Sequence, residues 1–177
     1  TVEIFAIGNE LLVGQVLDTN THWLIRSITG LGGHVRRTAM LRDEYDEIGR
    51  ELQHAVTRAP RLILTTGGLG PTDDDLTLRA ISLSFGRPMR EHPQALEWVA
   101  QRYAHLAAIL PNFSGELTES RRKMALFPAG TTPIYNPSGA APAMVFDVAE
   151  GVTLVTLPGV PTEMKDIFMQ SLQPVLA

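Results

Sequence analysis

Residues 65–77 place a glycine-rich turn directly before three consecutive aspartates, Asp73, Asp74 and Asp75. A turn of small residues that leads into a helix exposes backbone N–H groups at the positive end of the helix dipole, which favours phosphate. The aspartates would repel phosphate at the same place. A divalent cation resolves this conflict, because Mg²⁺ is usually held by one or two carboxylates together with substrate phosphates and water.

The residue types suggest which residues would contact the phosphate and which would contact the metal. The glycines would let the backbone approach phosphates closely. Asp74 or Asp75 would hold the metal directly or through water, and Thr77 could contribute a hydroxyl. A structural alternative stays open: Thr72 or Asp73 is the N-cap of the next helix, and the other acids complement its dipole for about 1 kcal/mol.

Three other groups of residues could contribute to chemistry. Asn9 and Glu10 bring an amide and a carboxylate to the end of the first predicted strand, although a turn residue and a solvated acid are the ordinary explanation. Lys123, with its two arginine neighbours, offers cations for a diphosphate, but a basic helix is more often a solvated face. Residues 136–139 form a turn whose backbone would matter only if it meets a ligand.

Short apolar runs alternate with amphipathic helical patterns along the chain. The patterns predict strands at 2–7, 34–41, 62–66, 132–136, 143–148 and 152–157, and helices at 21–31, 74–85, 94–110 and 116–125. Asp43 is placed to cap a further helix through Ile48 and Val56, and Pro161 begins a last helix that extends to Leu172.

This order predicts the fold class. Alternation of strands and helices, with a third strand that is almost wholly apolar, indicates a three-layer α/β/α sandwich with a mostly parallel sheet. The hairpin at 149–151 adds an antiparallel edge. Ligands of such sheets bind at the carboxyl ends of the strands. We therefore expect the junctions at 8–10, 67–75 and 157–161 to lie side by side and form the site.

Composition limits the function classes. The 177 residues suit one domain, residues 1–177, with a net charge of −4 and a pI near 5.7, so we expect no binding to nucleic acid or anionic membranes. The absence of cysteine excludes disulfides and thiolate metal sites. No apolar run reaches the roughly 18 residues of a membrane span. We expect a cytoplasmic protein.

Five segments together carry a family resemblance: GNELLVGQVLDTN, TTGGLGPTDDDLT, RRKMALFPAG, NPSGAAPAM and LPGVPTEMK. In this order they closely resemble the N-terminal domain of CinA-like (competence/damage-inducible protein A) proteins, which belongs to the wider MogA/MoaB/MoeA molybdopterin-binding fold. The similarity extends from Val2 to about Gln173. Ala140 and Ala143 replace the Thr and Gly common in the family, and Asn9 stands where Asp is frequent.

The resemblance implies a phosphorylated pterin or nucleotide as ligand, bound at the carboxyl ends of the strands. Matched by motif, the binding positions are Asn9, Glu10, Gly67, Gly68, Gly70, Pro71, Thr72, Asp74, Asp75, Thr77 and Gly159. CinA-type domains are associated with divalent-metal-dependent hydrolysis of the pyrophosphate in ADP-ribose, and the MogA branch with adenylylation of molybdopterin. Full CinA proteins also carry a C-terminal amidohydrolase domain, and we expect no such activity from these 177 residues.

We therefore expect an ADP-ribose pyrophosphatase in which Asp74 and Asp75 hold Mg²⁺ or a similar ion. Lys123 would offset developing charge, Glu10 would orient or deprotonate water, and Asn136 and Gly139 would join the substrate contacts. A second hypothesis is a module that binds molybdopterin or a nucleotide without turnover, or with an adenylylating role. A third is a domain that mainly assembles with itself or a partner. We expect a homo-oligomer in this fold.

Overall fold

A six-stranded sheet forms the centre of the computed structural model, which describes residues 1–177. The strands are β1 Val2–Ile7, β2 Val35–Leu41, β3 Leu62–Thr66, β6 Thr132–Ile134, β7 Ala143–Ala149 and β8 Val152–Leu157, in the order β2-β1-β3-β8-β7-β6. The first four strands of that order are parallel, whereas β7 pairs antiparallel with both β8 and β6. A separate antiparallel pair joins β4 Met89–Glu91 to β5 Leu126–Pro128.

Helices cover both faces of this sheet. They are α1 Asn9–Leu12, α2 Thr19–Gly30, α3 Tyr45–Thr57, α4 Thr77–Ser84, α5 Pro93–Ile109, α6 Glu119–Lys123, α7 Pro161–Ile167 and α8 Gln173–Leu176, with a π-helical turn at Phe168–Leu172 between the last two. Buried side chains of α3, α4 and α5 pack on one face, and those of α2, α7 and the π-helical turn pack on the other.

The central strands alternate their side chains between two hydrophobic cores. In β1, Phe5 and Ile7 enter the core beneath α3, α4 and α5, whereas Ile4 enters the core beneath α2 and α7. This follows from the two-residue period of a strand. Because both faces are covered, β1 and β3 are buried along their whole length, which explains their continuous apolar sequences.

An ion pair closes the amino end of the sheet. Glu3 lies on β1 and is only 1% exposed, and the Arg58 guanidinium donates to both of its carboxylate oxygens at 2.6–3.1 Å. This hydrogen bonding raises the pKa of Arg58, so the arginine stays charged. The bidentate geometry is what a buried carboxylate requires for compensation.

The predicted fold class is confirmed, with the central strands within one residue of their predicted bounds. Several details differ. The predicted helix at 116–125 covers only Glu119–Lys123, the predicted strand at 132–136 ends at Ile134, and the α-helix that begins at Pro161 ends at Ile167, where the π-helical turn begins. The predicted helix at 74–85 begins only at Thr77, β4 and β5 were not predicted, and the antiparallel β7 lies inside the sheet while β6 forms its edge. None of the helices combines the length and apolarity that crossing a membrane requires.

Candidate functional site

The three strand-to-helix junctions meet in one cavity of about 450 Å³. They come together because β1, β3 and β8 are adjacent and parallel, with Ala6 in register with Thr66, and Thr66 with Leu157. Among the sequence-predicted residues, Glu10, Gly67, Gly68, Gly70, Pro71, Asp74, Asp75 and Gly159 line this cavity. We call it the main cavity.

The glycine turn of the main cavity requires glycine for steric reasons. Gly67 and Gly68 have φ values of +111° and +67°, in the left-handed region that side chains disfavour. A Cβ on Gly67 would also overlap the Ile7 carbonyl oxygen, and one on Gly68 would overlap the Thr77 hydroxyl. The turn is therefore pressed against the end of β1 and the start of α4, with its backbone at the cavity surface.

Three hydrogen bonds fix this turn, one of them from the Thr77 amide to the Gly68 carbonyl at 3.2 Å. The Gly67 amide donates to the Leu157 carbonyl at 3.0 Å, and the Thr77 hydroxyl donates to the Gly67 carbonyl at 2.9 Å. Thr77 is fully buried and does not line the cavity. Its hydroxyl therefore supports the turn, whereas the sequence suggested it as a direct contact with metal or ligand.

Asn20 ties the third junction to the second and was not predicted. Its side-chain amide donates to the Thr66 hydroxyl at 3.0 Å and to the Gly159 carbonyl at 2.8 Å, and the Thr66 hydroxyl donates in turn to the Pro158 carbonyl at 2.8 Å. Helix α2 thereby holds the loop after β8 against the end of β3. The burial of Asn20, which marks it as a structural residue, appears only in the structure.

The aspartate segment forms a local turn before α4. The Asp75 carboxylate accepts from the Thr72 amide at 2.9 Å and from the Thr72 hydroxyl. The N-cap of α4 is Leu76, with no side-chain cap, so capping by Thr72 or Asp73 is wrong. Asp74 and Asp75 line the main cavity, and Asp73 does not. The side-chain bond to Thr72 competes with helix formation and delays its start.

Asp43 is a further carboxylate of the main cavity that the sequence assigned to another role. It does not cap α3, whose N-cap is Glu44; its carboxylate accepts from the Asn9 amide at 3.1 Å. Burial raises the pKa of Asp43, and the nearby charges of Glu10, Asp75 and Asp74 raise it further. Burial is the larger cause, and the three neighbouring charges are carboxylates of the same cavity, with no basic side chain among the lining residues to balance them.

Lys123 does not supply that balance. Its ammonium group donates to the Thr72 carbonyl, behind the aspartate turn, and it does not line the main cavity. The Thr72 hydroxyl, the backbone amide of Asp74 and the Lys123 charge lower the pKa of Asp74. Lys123 thus stabilises the ionised form of Asp74 from outside. The side chain of Asn9 is exposed, and only its backbone amide engages the site, through Asp43.

Residues 136–139 position a fifth carboxylate, that of Glu163. The Asn136 side-chain amide donates to Glu163 at 2.7 Å, while its carbonyl oxygen accepts from the Ser138 and Gly139 amides. A Cβ on Gly139 would overlap the Glu163 carboxylate, so a side chain at 139 would shift that carboxylate from its present position. Glu163 lines the main cavity, whereas Asn136 and Gly139 lie behind it.

The carboxylates at the cavity therefore number five: Glu10, Asp43, Asp74, Asp75 and Glu163. No lysine, arginine or histidine lines it. These features define an α/β/α domain with a cavity of glycine turns and carboxylates at the carboxyl ends of its parallel strands, the edge at which such sheets usually bind ligands.

Comparison with known proteins identifies the family. The chain belongs to the family described as probable molybdopterin binding domain, whose model matches residues 3–177. It is 40% identical over 99% of its length to the CinA-like protein of Prochlorococcus marinus (strain MIT 9313). The chain covers 39% of that relative, and between 38% and 64% of the length of the curated relatives it matches.

Solved structures agree with this assignment. The crystal structure of the protein CinA with unknown function from Thermoplasma acidophilum has a TM-score of 0.88 and 31% identity, covering 99% of this chain and 97% of that one. The molybdopterin biosynthesis enzyme MoaB from Thermus thermophilus has a TM-score of 0.60 and 19% identity, covering 99% and 92%. The second likeness shows the fold alone. The resemblance seen in the sequence is confirmed.

Proposed function

We propose that the main cavity binds a nucleotide or pterin phosphate and hydrolyses the pyrophosphate bond of an ADP-ribose-like substrate with the help of a divalent cation. The observation that carries the proposal is the charge of the cavity. Five carboxylates and no basic side chain line it, together with Gly67, Gly68 and Gly70 of the glycine turn. A diphosphate can enter such a cavity only if it brings cations with it.

The carboxylates suit a metal that is shared between protein and substrate. Asp74 is exposed at the cavity, and one oxygen of Asp75 is free of the bonds to Thr72. No group of three or more histidine, aspartate or glutamate side chains is arranged as a metal-binding cluster. The proposal therefore needs a cation such as Mg²⁺, which usually takes one or two carboxylates and completes its shell with phosphate oxygens and water. When bound, the cation would neutralise diphosphate charge and polarise the P–O bonds.

The residues of the chain supply binding and proton transfer. The Gly67 and Gly68 turn, with Gly159 opposite, forms the surface against which phosphate oxygens would lie. Glu10 is exposed at the cavity and would orient a water molecule and accept its proton. The water oxygen forms a bond to one phosphorus while the bridging P–O bond breaks. The products are AMP and ribose 5-phosphate, and both protons of the water are released when the two phosphate monoesters are fully ionised.

A second candidate function is binding without hydrolysis. It is favoured by the family description, which names molybdopterin binding and no reaction. A cavity of about 450 Å³ falls within the range of about 300–1,000 Å³ that is usual for small-molecule sites. In this case the same carboxylates and glycine turns hold a pterin phosphate or nucleotide, with adenylylation as the related activity.

A turnover assay separates the two functions. Wild type, Asp74→Asn and Asp75→Asn are incubated with ADP-ribose and Mg²⁺ or Mn²⁺, and AMP release is measured. Asp73→Asn is the matched control, because Asp73 belongs to the same triplet but lies outside the cavity. We expect metal-dependent release by the wild type and the control, reduced about 100-fold or more in the two cavity variants, the size of effect seen when one charge-stabilising group is removed.

The contrary outcomes are distinct. Wild-type protein that releases no AMP with any divalent metal, yet binds ADP-ribose or a pterin phosphate, supports the binding module and refutes the hydrolase. Equal losses in the cavity variants and in Asp73→Asn would show that the triplet acts through folding and would remove the assigned roles.

A further inference from the structure

A second cavity, of about 310 Å³, adjoins the main cavity. The two share Ala140, and consecutive residues of α5 face them: Tyr103 lines the main cavity and Arg102 the second. Asn136 and Gly139, which position Glu163 in the main cavity, also line the second. The two cavities are therefore neighbours on the same edge of the sheet, with Asn136 and Gly139 between Glu163 and the second cavity.

An aromatic pair forms a wall of the second cavity. The rings of Trp98 on α5 and Tyr135 after β6 meet edge to face, with centroids 5.4 Å apart and planes at 66°. Tyr135 is 51% exposed although it is a large aromatic residue. Partly exposed aromatic rings in a cavity offer stacking surfaces to a flat ring of a ligand.

The charge of the second cavity is opposite to that of the main cavity. Arg102 and His105 line it and no carboxylate does. The Arg102 guanidinium donates to the Ser138 carbonyl at 2.9 Å and takes part in none of the ion pairs of the chain. Its other N–H groups can meet ring nitrogens or oxygens, which are acceptors, or its plane can stack on a base.

We propose that the cavity between Trp98, Arg102 and Tyr135 receives the nucleobase of the nucleotide whose diphosphate lies in the main cavity. The inference rests on the proposed function and extends it, because it makes the site selective for nucleotides over simple diphosphates. Stacking would come from the two aromatic rings, and Arg102 would supply hydrogen bonds. The second cavity is the better receptor for a base, because it presents two aromatic rings and an arginine where the main cavity presents five carboxylates and one aromatic ring.

The test compares two ligands that share the diphosphate and differ in the base. The α,β-methylene analogue of ADP and methylenediphosphonate are titrated calorimetrically into wild type, Trp98→Ala and Tyr135→Ala in the presence of Mg²⁺. We expect the alanine variants to bind the nucleotide analogue about 5- to 140-fold more weakly, which corresponds to the roughly 1–3 kcal/mol of one base–aromatic stack. Binding of methylenediphosphonate should not change.

Two further variants distinguish the loss of a stacking ring from a general disruption of the structure. Trp98→Phe keeps a stacking ring and should retain most of the nucleotide affinity. In a Trp23→Phe background Trp98 is the single tryptophan, since the chain has two, and the nucleotide analogue should quench its fluorescence while methylenediphosphonate does not. Trp23 packs on Phe168 at the other face of the sheet, so its replacement leaves this cavity unaltered.

The possible results separate failure of the base subsite from failure of the proposed function. Equal weakening of both ligands in Trp98→Ala and Tyr135→Ala, or unchanged affinity for the nucleotide analogue, overturns the base subsite and leaves the diphosphate site in place. Wild-type protein that binds methylenediphosphonate as tightly as the nucleotide analogue overturns it too. Wild-type protein that binds neither ligand overturns both this inference and the proposed function.

Discussion

Replacing Asn20 by alanine tests whether the wall of the main cavity is held by α2. The Asn20 amide group donates two hydrogen bonds, to the Thr66 hydroxyl at 3.0 Å and the Gly159 carbonyl at 2.8 Å, and its own carbonyl oxygen has no partner. Only the two donated bonds are therefore lost. At about 0.5–1.5 kcal/mol each, the free energy of unfolding should fall by about 1–3 kcal/mol.

The loss should lie towards the lower end of that range. Gly159 is exposed, so water can replace the donor at its carbonyl, and the Thr66 hydroxyl keeps its bond to the Pro158 carbonyl. For a chain of this size about 1 kcal/mol lowers Tm by roughly 2–4 °C. Thr19→Ala, at the neighbouring exposed position of α2, is the matched control for the change in helix propensity.

The assay is urea unfolding followed by circular dichroism, together with titration of methylenediphosphonate in Mg²⁺. We expect Asn20→Ala to be less stable than Thr19→Ala and to bind the diphosphate more weakly, because the Gly159 loop loses its tie to β3. If Asn20→Ala matches Thr19→Ala within about 0.5 kcal/mol and binds normally, the assignment of Asn20 as the support of this loop is refuted.

Three further predictions concern the sheet and the cavity. Arg58→Leu should cost about 3–5 kcal/mol at neutral pH in urea unfolding because it leaves the buried Glu3 unpaired, whereas adding Glu3→Leu should recover most of that loss; a double variant less stable than the single one would contradict this. Burial and neighbouring carboxylates raise the pKa of Asp43 in the folded state above its unfolded value. The free energy of unfolding of the wild type, measured in chelator, should therefore fall as pH rises from about 4 through the folded pKa, and Asp43→Asn should lack this fall. Identical pH profiles of the two proteins would refute the role of Asp43. Gly68→Ala should destabilise more than Gly14→Ala, since both have positive φ but only a Cβ at Gly68 overlaps a neighbour; equal thermal unfolding would disprove the steric argument.

The parts of the fold that the sequence predicts well are those where local pattern and burial agree. Strands β1, β3 and β8 are buried on both faces, so their apolar runs mark their bounds directly. The junctions that line the main cavity follow from parallel topology alone, because the carboxyl ends of adjacent parallel strands share one edge. The homo-oligomer and the cytoplasmic location stay predictions.

The missed residues depend on contacts between distant segments. Asp43 meets Asn9 across 34 positions, and Asn20 meets Gly159 across 139. A sequence window that contains only one partner cannot show these pairs, and Asp43 there has the ordinary appearance of a helix cap. The topology held a usable signal for Asp43, because it follows β2 at the same edge of the sheet as Glu10.

The prediction of a helix that begins at Asp74 was wrong for a different reason. Its residues permit a helix, but the Asp75 carboxylate bonds to the amide and hydroxyl of Thr72 and satisfies that backbone outside the helix. The short pair β4 and β5 was missed because each strand has only three residues, too few to show alternation. Glu163 was missed because its place in the cavity depends on Asn136 and on the absence of a side chain at Gly139.

The most direct test of the cavity's chemistry is a calorimetric titration of the α,β-methylene analogue of ADP into wild-type protein, with Mg²⁺ and then with a chelator. We expect Mg²⁺ to lower Kd at least about tenfold, equivalent to about 1.4 kcal/mol, and the double variant Asp74→Asn with Asp75→Asn to abolish this gain. Binding that is equally tight in the chelator would contradict the proposed site, since a cavity lined by five uncompensated carboxylates would then be binding a diphosphate without a cation.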